Sequence, residues 1–527
     1  MWRRVRQFAN TVAGGAAIIA MASLLSRMIG LVRDNLFAKT FGASSTLDMY
    51  NAAFKVPDFI FNIVVLGALS ASFVPVFIQR RTEAGDEAGH QLASAILNIL
   101  AVTLVIVAVV GVLCAGTIAH WLMADRGLDQ QAGTALLMRV MLLGVICFGL
   151  SNVFSGVLQA KRKFLAFSLA PILYNVGIII GVVYFYPQFG LVGLAYGVVL
   201  GAVLHLLVQM LAAFHSGFQY QPFTSWRTAG VSKIMRLMPP RAFALGINQL
   251  NLTLMAAFAL RMPTGSLTIW TWADNLQNVP INMVGVSLAI SAFPVFSQAF
   301  AEQDFAKFKQ VFSNNFRRLL FLIVPISVAI LLLRAQIVRI ILGSFGSGAF
   351  DWTATIQTAQ VLGVFAIALF AQASIPLLAR SFFAHQDTRT TVVISVITVA
   401  TNLGLAFGLT QYLGLYGLAL AFTISSLLNM LLLLLMLRLK FGDLDDIAII
   451  KAVWRIIVAT LAAGLVIHGI KYVVAPFVDM RTFVGILIQT VAAIGGGGLV
   501  YLGIAYYFKF PELQIVQQQL HKLKRLF

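Results

Sequence analysis

Apolar stretches of about twenty residues recur from one end of this chain to the other, the length that crosses ~30 Å of hydrocarbon as a helix. The sequence has 527 residues, 60% of them hydrophobic and 10% charged. A single water-soluble core could not absorb that many apolar side chains. Backbone polar groups in lipid need partners within the span, which excludes open strands. The fold class expected is an all-α polytopic membrane protein. Fourteen spans are expected, near residues 12–34, 56–79, 91–123, 133–159, 164–187, 190–214, 233–260, 267–299, 315–343, 355–383, 389–410, 414–438, 450–475 and 481–508.

The net charge of +19 could point to nucleic acid. Its distribution points elsewhere. Basic residues collect in alternate loops, as they do on the cytoplasmic side of membrane proteins. One set comprises Arg3, Arg4 and Arg6; Arg80 and Arg81; Lys161, Arg162 and Lys163; Lys307, Lys309, Arg317 and Arg318; and Lys522, Lys524 and Arg525. Both termini are therefore expected in the cytoplasm. The start MWRRVRQ reads as a cytoplasmic lead into the first span, not as a signal peptide. Cys114 and Cys147 lie inside apolar spans and read as buried small hydrophobes. No HExxH, GxSxG, CxxC or P-loop pattern occurs, and the seven histidines show no metal-ligand spacing. The expectation is a non-enzyme with no cofactor, no metal and no nucleic-acid partner. His205 and His468 read as packing residues.

The chain also repeats itself. YNVGIIIGVVYFYPQFGLVGLAYG (174–197) resembles TNLGLAFGLTQYLGLYGLALA (401–421). Asn175, Gly177, Gly181, Gly190 and Gly193 align with Asn402, Gly404, Gly408, Gly414 and Gly417. SASFVPVFIQ (70–79) likewise resembles AISAFPVFSQ (289–298). The reading is two similar six-helix lobes, residues 1–225 and 226–445, followed by two extra spans and a basic tail in 446–527. Duplicated bundles are a common transporter plan.

Charges inside spans carry the functional signal, because each costs on the order of 3 kcal/mol near the middle of a helix. In SRMIGLVRDNLFAKTFG (26–42), Arg27, Arg33 and Asp34 interrupt an apolar helix. Arg27 and Asp34 share a face about 10 Å apart along the axis, and Arg33 points roughly 120° from Arg27. Two readings stand: a solvated cavity lined by Arg27, or a structural link to Asp34 with Arg33 reaching the interface. Asp48, Lys55 and Asp58 flank the second span, and Asp274 lies in the eighth. Arg241 follows Pro239–Pro240, where the helix is expected to break. Several cationic candidates favour an anionic substrate, and the planar fork of Arg suits phosphate.

At these residues the chain resembles the MurJ (MviN) lipid II flippases. The resemblance rests on SRMIGLVRDNLFAKTFGAS, DMYNAAFKVPDFI, GALSASFVPVF and HQDTRTTV (385–392), and it covers the whole chain. It implies the multidrug/oligosaccharidyl-lipid/polysaccharide exporter fold, with two lobes around a central cavity and a tail groove at spans 13 and 14. The implied activity is alternating-access transfer of lipid II, the undecaprenyl-diphosphate-linked peptidoglycan precursor, from the inner to the outer leaflet. The implied partners are this lipid-linked diphosphate and membrane lipids, with a monovalent cation or the membrane potential as coupling agent. Arg27, Arg33, Asp34, Asp48, Lys55 and Asp274 match the family's cavity residues. Phe61, Asn62, Asn275 and Asn278 depart from its charged pattern. A flippase for another polyprenyl-diphosphate oligosaccharide of O-antigen type, and a non-transporting membrane scaffold, remain as alternatives.

Overall fold

The structure is a computed structural model; it describes residues 12–66, 73–161, 163–224, 226–343 and 348–513. The described residues are helical and contain no strand. Among the described residues, helix lies in each interval expected to span; residues 67–72 of the expected span 56–79 lie outside them. Nine described helices are long and apolar enough to cross on their own, ten with the bent pair Trp352–Ile367 and Leu369–Ala384. Two of the nine are double. Phe73–Leu122 runs 50 residues but turns at Gly85, with φ at 83°. Thr388–Phe441 runs 54 residues and turns at Gly414. Val231–Leu260 continues unbroken through Pro239–Pro240, so the expected break is absent. The Arg241 side chain lies outside the described residues.

Contacts divide the chain into two compact units, residues 1–268 and 269–527. The Val231–Leu260 helix thus belongs with the first unit, although the repeat in sequence begins the second copy near residue 226.

Each unit shows the repeat in its backbone. Gly190 ends one helix at φ 60°, ψ −142°, and Gly414 does the same at φ 54°, ψ −132°. An L side chain is strained there, which is why both copies hold glycine. A Cβ at Gly193 would sit 2.3 Å from the Phe185 carbonyl oxygen, and one at Gly417 would sit 2.2 Å from that of Leu409.

A second match lies inside a span. Phe61–Leu66 and Ile281–Val286 are both π-helical turns. Each frees backbone carbonyls, and each has an asparagine at its second position that answers one. Asn62 Nδ2 donates to the Asp58 carbonyl at 2.8 Å, and Asn282 Nδ2 to the Asn278 carbonyl at 2.7 Å. Such turns inside helices recur at functional sites.

Packing then differs. In the first unit the helices Phe164–Ile180 and Leu191–His215 touch through glycine, with a Cβ at Gly177 falling 2.3 Å from Gly201 Cα. Small residues let membrane helices approach this closely. In the second unit a buried core of phenylalanines, including Phe296, Phe308, Phe312 and Phe316, fills one end.

Candidate functional site

The long first helix, Val12–Phe41, presents two environments. Arg27 is exposed, on the same stretch as exposed Leu24 and Met28. Arg33 and Asp34 turn inward. Arg33 Nε and Nη2 donate to Asp34 Oδ1 at 3.0 and 2.8 Å, and Nη1 donates to Asn175 Oδ1 at 3.0 Å. Asn175 is held in turn, its Nδ2 donating to the Pro171 carbonyl at 3.0 Å. The pair is largely shielded, with side-chain exposures of 24% for Arg33 and 11% for Asp34. The sequence allowed a link between Asp34 and Arg27; the structure gives Asp34 to its neighbour Arg33.

Lys55 opens the short helix Lys55–Ile60 and is half-buried. One turn later, Asp58 lines a cavity of about 220 Å³ with Phe54, Phe61, Phe148 and Tyr174. Phe148 sits edge-on to Phe61 at 5.7 Å and to Tyr174 at 4.7 Å. The charge of Lys55 acts on Asp58. Tyr174 lies in the fields of both Asp58 and Arg33. Arg33, paired with Asp34, and Asp58, beside Lys55, therefore both act on Tyr174.

The sequence marks Asp58 only as flanking the second span and Asn175 only as a repeat position. The signal for Asn175 is a polar residue aligned in both copies of an otherwise apolar helix.

Asp48 is placed differently. It is 1% exposed and accepts from the Gly265 amide at 2.7 Å, the Thr268 amide at 3.0 Å and the Thr268 hydroxyl at 2.8 Å. Arg126 lies 3.8 Å away and grips the same loop, donating to the carbonyls of Leu260 and Met262 at 2.9 and 2.6 Å. A carboxylate bound to amides at a helix start is a favourable cap. Its recorded contacts are to the chain's own loop.

Asp274 belongs to the second unit. Gln277 donates to it at 2.9 Å, and Gln372 donates to Gln277 at 3.0 Å. The structure thus pairs Arg33 with Asp34 and places Lys55 beside Asp58, leaves Arg27 exposed on the first helix, and sets Asp48 and Asp274 in networks of their own.

The second unit also carries an apolar groove of about 250 Å³ beside its last two helices, lined by Phe321, Pro325, Ala463, Ile467, Gly498 and Leu502. The run of glycines at 495–498 divides its work. A Cβ at Gly497 would meet Ile467 at 2.4 Å, whereas Gly498 faces open space and lines the groove. Tyr501 closes one end by donating to the Phe321 carbonyl at 2.7 Å.

Two other expectations meet the structure here. His205 is satisfied, with Nδ1 2.8 Å from the Ser151 hydroxyl. The cysteines are not buried as expected: Cys114 is exposed and Cys147 half-buried. In lipid an outward thiol loses nothing, so an apolar span no longer implies an interior position.

A model of the family described as "Lipid II flippase MurJ" matches residues 37–488. The lipid II flippase MurJ of Burkholderia cenocepacia is 29% identical over 460 residues, covering 85% of this chain and 87% of that protein. Among solved structures, a lipid II flippase MurJ in an inward closed conformation superposes with TM-score 0.77 at 22% identity, over 93% of this chain and 98% of that one. An inward-facing multidrug resistance transporter of the MATE family follows at TM-score 0.66 and 18% identity, over 80% of this chain and 96% of that one.

Proposed function

Since this chain belongs to the MurJ lipid II flippase family, we propose that it moves lipid II from the inner to the outer leaflet of the cytoplasmic membrane. The observation that carries this reading is the charged group of the first unit. Arg33 is held by Asp34 and Asn175 within apolar helices, and Asp58, beside Lys55, shares Tyr174 with it. Ionised groups at that depth cost several kcal/mol unless paired or hydrated, so in membrane proteins they mark the path of a polar cargo.

In this reading Arg27, Arg33 and Lys55 meet the diphosphate. Arg offers paired donors to its oxygens and Lys a point charge. Asp34 and Asp58 offset these cations when cargo has left, and Asp274 contributes to resetting from the second unit. The return step then draws on a monovalent cation or on the membrane potential, worth ~2.3 kcal/mol per charge per 100 mV. Asp48 holds the loop at Gly265 rather than touching cargo. The groove at Phe321 and Gly498 takes the polyprenyl tail. The work is translocation without a chemical step, and both termini lie in the cytoplasm.

One observation favours a second reading. Phe61 lines the Asp58 cavity where the family resemblance leads one to expect a cation. A different polyprenyl-diphosphate oligosaccharide would need fewer charges. Purified protein in vesicles should be offered lipid II and, separately, a polyprenyl-diphosphate oligosaccharide lacking peptide. Transfer of lipid II above empty vesicles supports the first reading. Transfer of the oligosaccharide alone supports the second, and transfer of neither overturns both.

A further inference from the structure

The helix Phe305–Leu342 carries Lys307, Lys309, Arg317 and Arg318 in its first half. The residues from Leu319 to Leu333 bear no charge. At 1.5 Å per residue they run about 22 Å. That is short of the full ~30 Å of hydrocarbon, so Arg334, which follows, lies within snorkelling reach of the edge opposite that basic quartet. The aromatic residues of this unit mark the same level. Trp352, Tyr412, Tyr472 and Phe477 are exposed near helix ends on this side, where amphipathic rings gather in membrane proteins.

Arg334 lines a cavity of about 340 Å³ with Gln360, Gly363, Val364 and Tyr416. Its placement is built into the fold. A Cβ at Gly363 would fall 2.7 Å from Arg334 Cδ, so the glycine lets the arginine stem lie across this helix and an alanine would push that stem aside. Arg334 Nη1 donates to the Leu331 carbonyl at 2.6 Å. A guanidinium has five N–H donors, so others stay available to a ligand. Across the cavity the Tyr416 hydroxyl donates to Gln360 Oε1.

A second cation stands close. Lys471 Nζ donates to the neighbouring Leu332 carbonyl at 2.8 Å, and the charge of Arg334 acts on it. The ion pairs described in this unit are made by Lys307, Arg317, Arg438 and Lys440. Among the described residues, neither Arg334 nor Lys471 has a carboxylate partner. Two cations within each other's field, each bonded only to a backbone carbonyl, leave positive charge for an anion from outside the chain.

We propose that Arg334, with the Gln360 amide held across the cavity by Tyr416 and with Lys471 alongside, binds the phosphate of an anionic lipid headgroup. An arginine rooted within the hydrocarbon reaches outward to lipid phosphates, which favours a lipid over a dissolved ion. The site lies wholly in the second unit and involves none of the residues assigned above to cargo.

The test uses the full chain in nanodiscs of phosphatidylglycerol mixed with phosphatidylcholine, with retained lipid counted by native mass spectrometry. Wild type should retain phosphatidylglycerol selectively. Arg334→Gln should weaken that retention about fivefold, and adding Lys471→Gln should weaken it about as much again. Gly363→Ala keeps every charge but displaces the arginine stem, and should lose most of the selectivity. Arg334→Lys should keep part of it. Melting temperature in phosphatidylcholine alone reports whether each variant is folded. Millimolar inorganic phosphate should compete with the lipid.

Wild-type retention in folded Arg334→Gln/Lys471→Gln protein would overturn the proposal. So would wild-type retention in Gly363→Ala, which would mean diffuse interfacial charge and no built site. Binding of inorganic phosphate with no selectivity for phosphatidylglycerol would overturn the lipid assignment.

Discussion

The π-helical turns at Phe61–Leu66 and Ile281–Val286 are the same device with different chemistry around it. In both, an asparagine caps the carbonyl four residues back. Counting back from those asparagines, Lys55 and Asp58 of the first unit correspond to Asn275 and Asn278 of the second. One copy holds a cation and a carboxylate and opens onto an aromatic cavity; the other has asparagines at both positions and keeps only Asp274 beside them. The lesson is that backbone geometry and site chemistry are separable in a duplicated bundle. The turn bends the span in both units, and only the first unit places a cation–carboxylate pair before it.

Helix packing divides the same way. The first unit brings its helices together through Gly177 and Gly201, while Gly404 and Gly408 in the second face open space. Helix starts show the reverse bias. Asp304, Asp351, Asp387 and Thr482 cap helices of the second unit with their side chains, whereas Ser44, Gly127 and Lys163 of the first make no such bond.

The largest effect is expected at Arg33. Arg33→Ala breaks the shielded Arg33–Asp34 pair, a loss of about 3–5 kcal/mol for a buried pair. Transport should vanish and the melting temperature should fall. The double variant Arg33→Ala/Asp34→Ala should recover much of the stability and none of the transport. Recovery of transport in the double variant would make the pair structural.

Next come the glycines. Gly201→Ala forces a methyl onto Tyr174, whose carbonyl oxygen would lie 2.5 Å from it. Overpacking of this kind costs about 1–3 kcal/mol. Gly404→Ala meets nothing within 4 Å and should stabilise its helix by up to about 1 kcal/mol. Equal melting temperatures for the two variants would erase the packing difference.

The smallest effect concerns pH. Burial pushes the Asp387 carboxyl up, but Lys440 at 2.7 Å and the Thr390 amide and hydroxyl outweigh it and hold it down to about 2. A depressed carboxylate stabilises the fold above its ordinary range, and that contribution fades as pH falls toward the folded value. Thermal stability of wild type should therefore drop more than that of Asp387→Asn between pH 4 and pH 2. The Lys163 turn of the first unit has no side-chain cap to lose.

The fold was legible in the sequence because span length and loop charge are both read directly by a bilayer. The glycines at 190 and 414 were legible too, since their backbone tolerates little else. The charged group was legible only in part. Arg33 and Asp34 stood out as charges in an apolar helix. Their partner Asn175 is 142 positions from Arg33, and no local pattern marks such a contact. Asp48 looked like a cavity acid, because sequence does not reveal that Gly265 and Thr268 donate to it from more than 200 residues away.

The decisive measurement makes the first unit resemble the second. Lys55→Asn/Asp58→Asn keeps the net charge and the π-helical turn while removing the charged pair. Lipid II transfer should be measured in vesicles at matched protein orientation, with the melting temperature as the control for folding. If the charged turn carries the cargo step, the variant stays folded and transfer falls at least tenfold. Wild-type transfer by the folded variant would contradict that assignment and leave the two turns functionally equivalent.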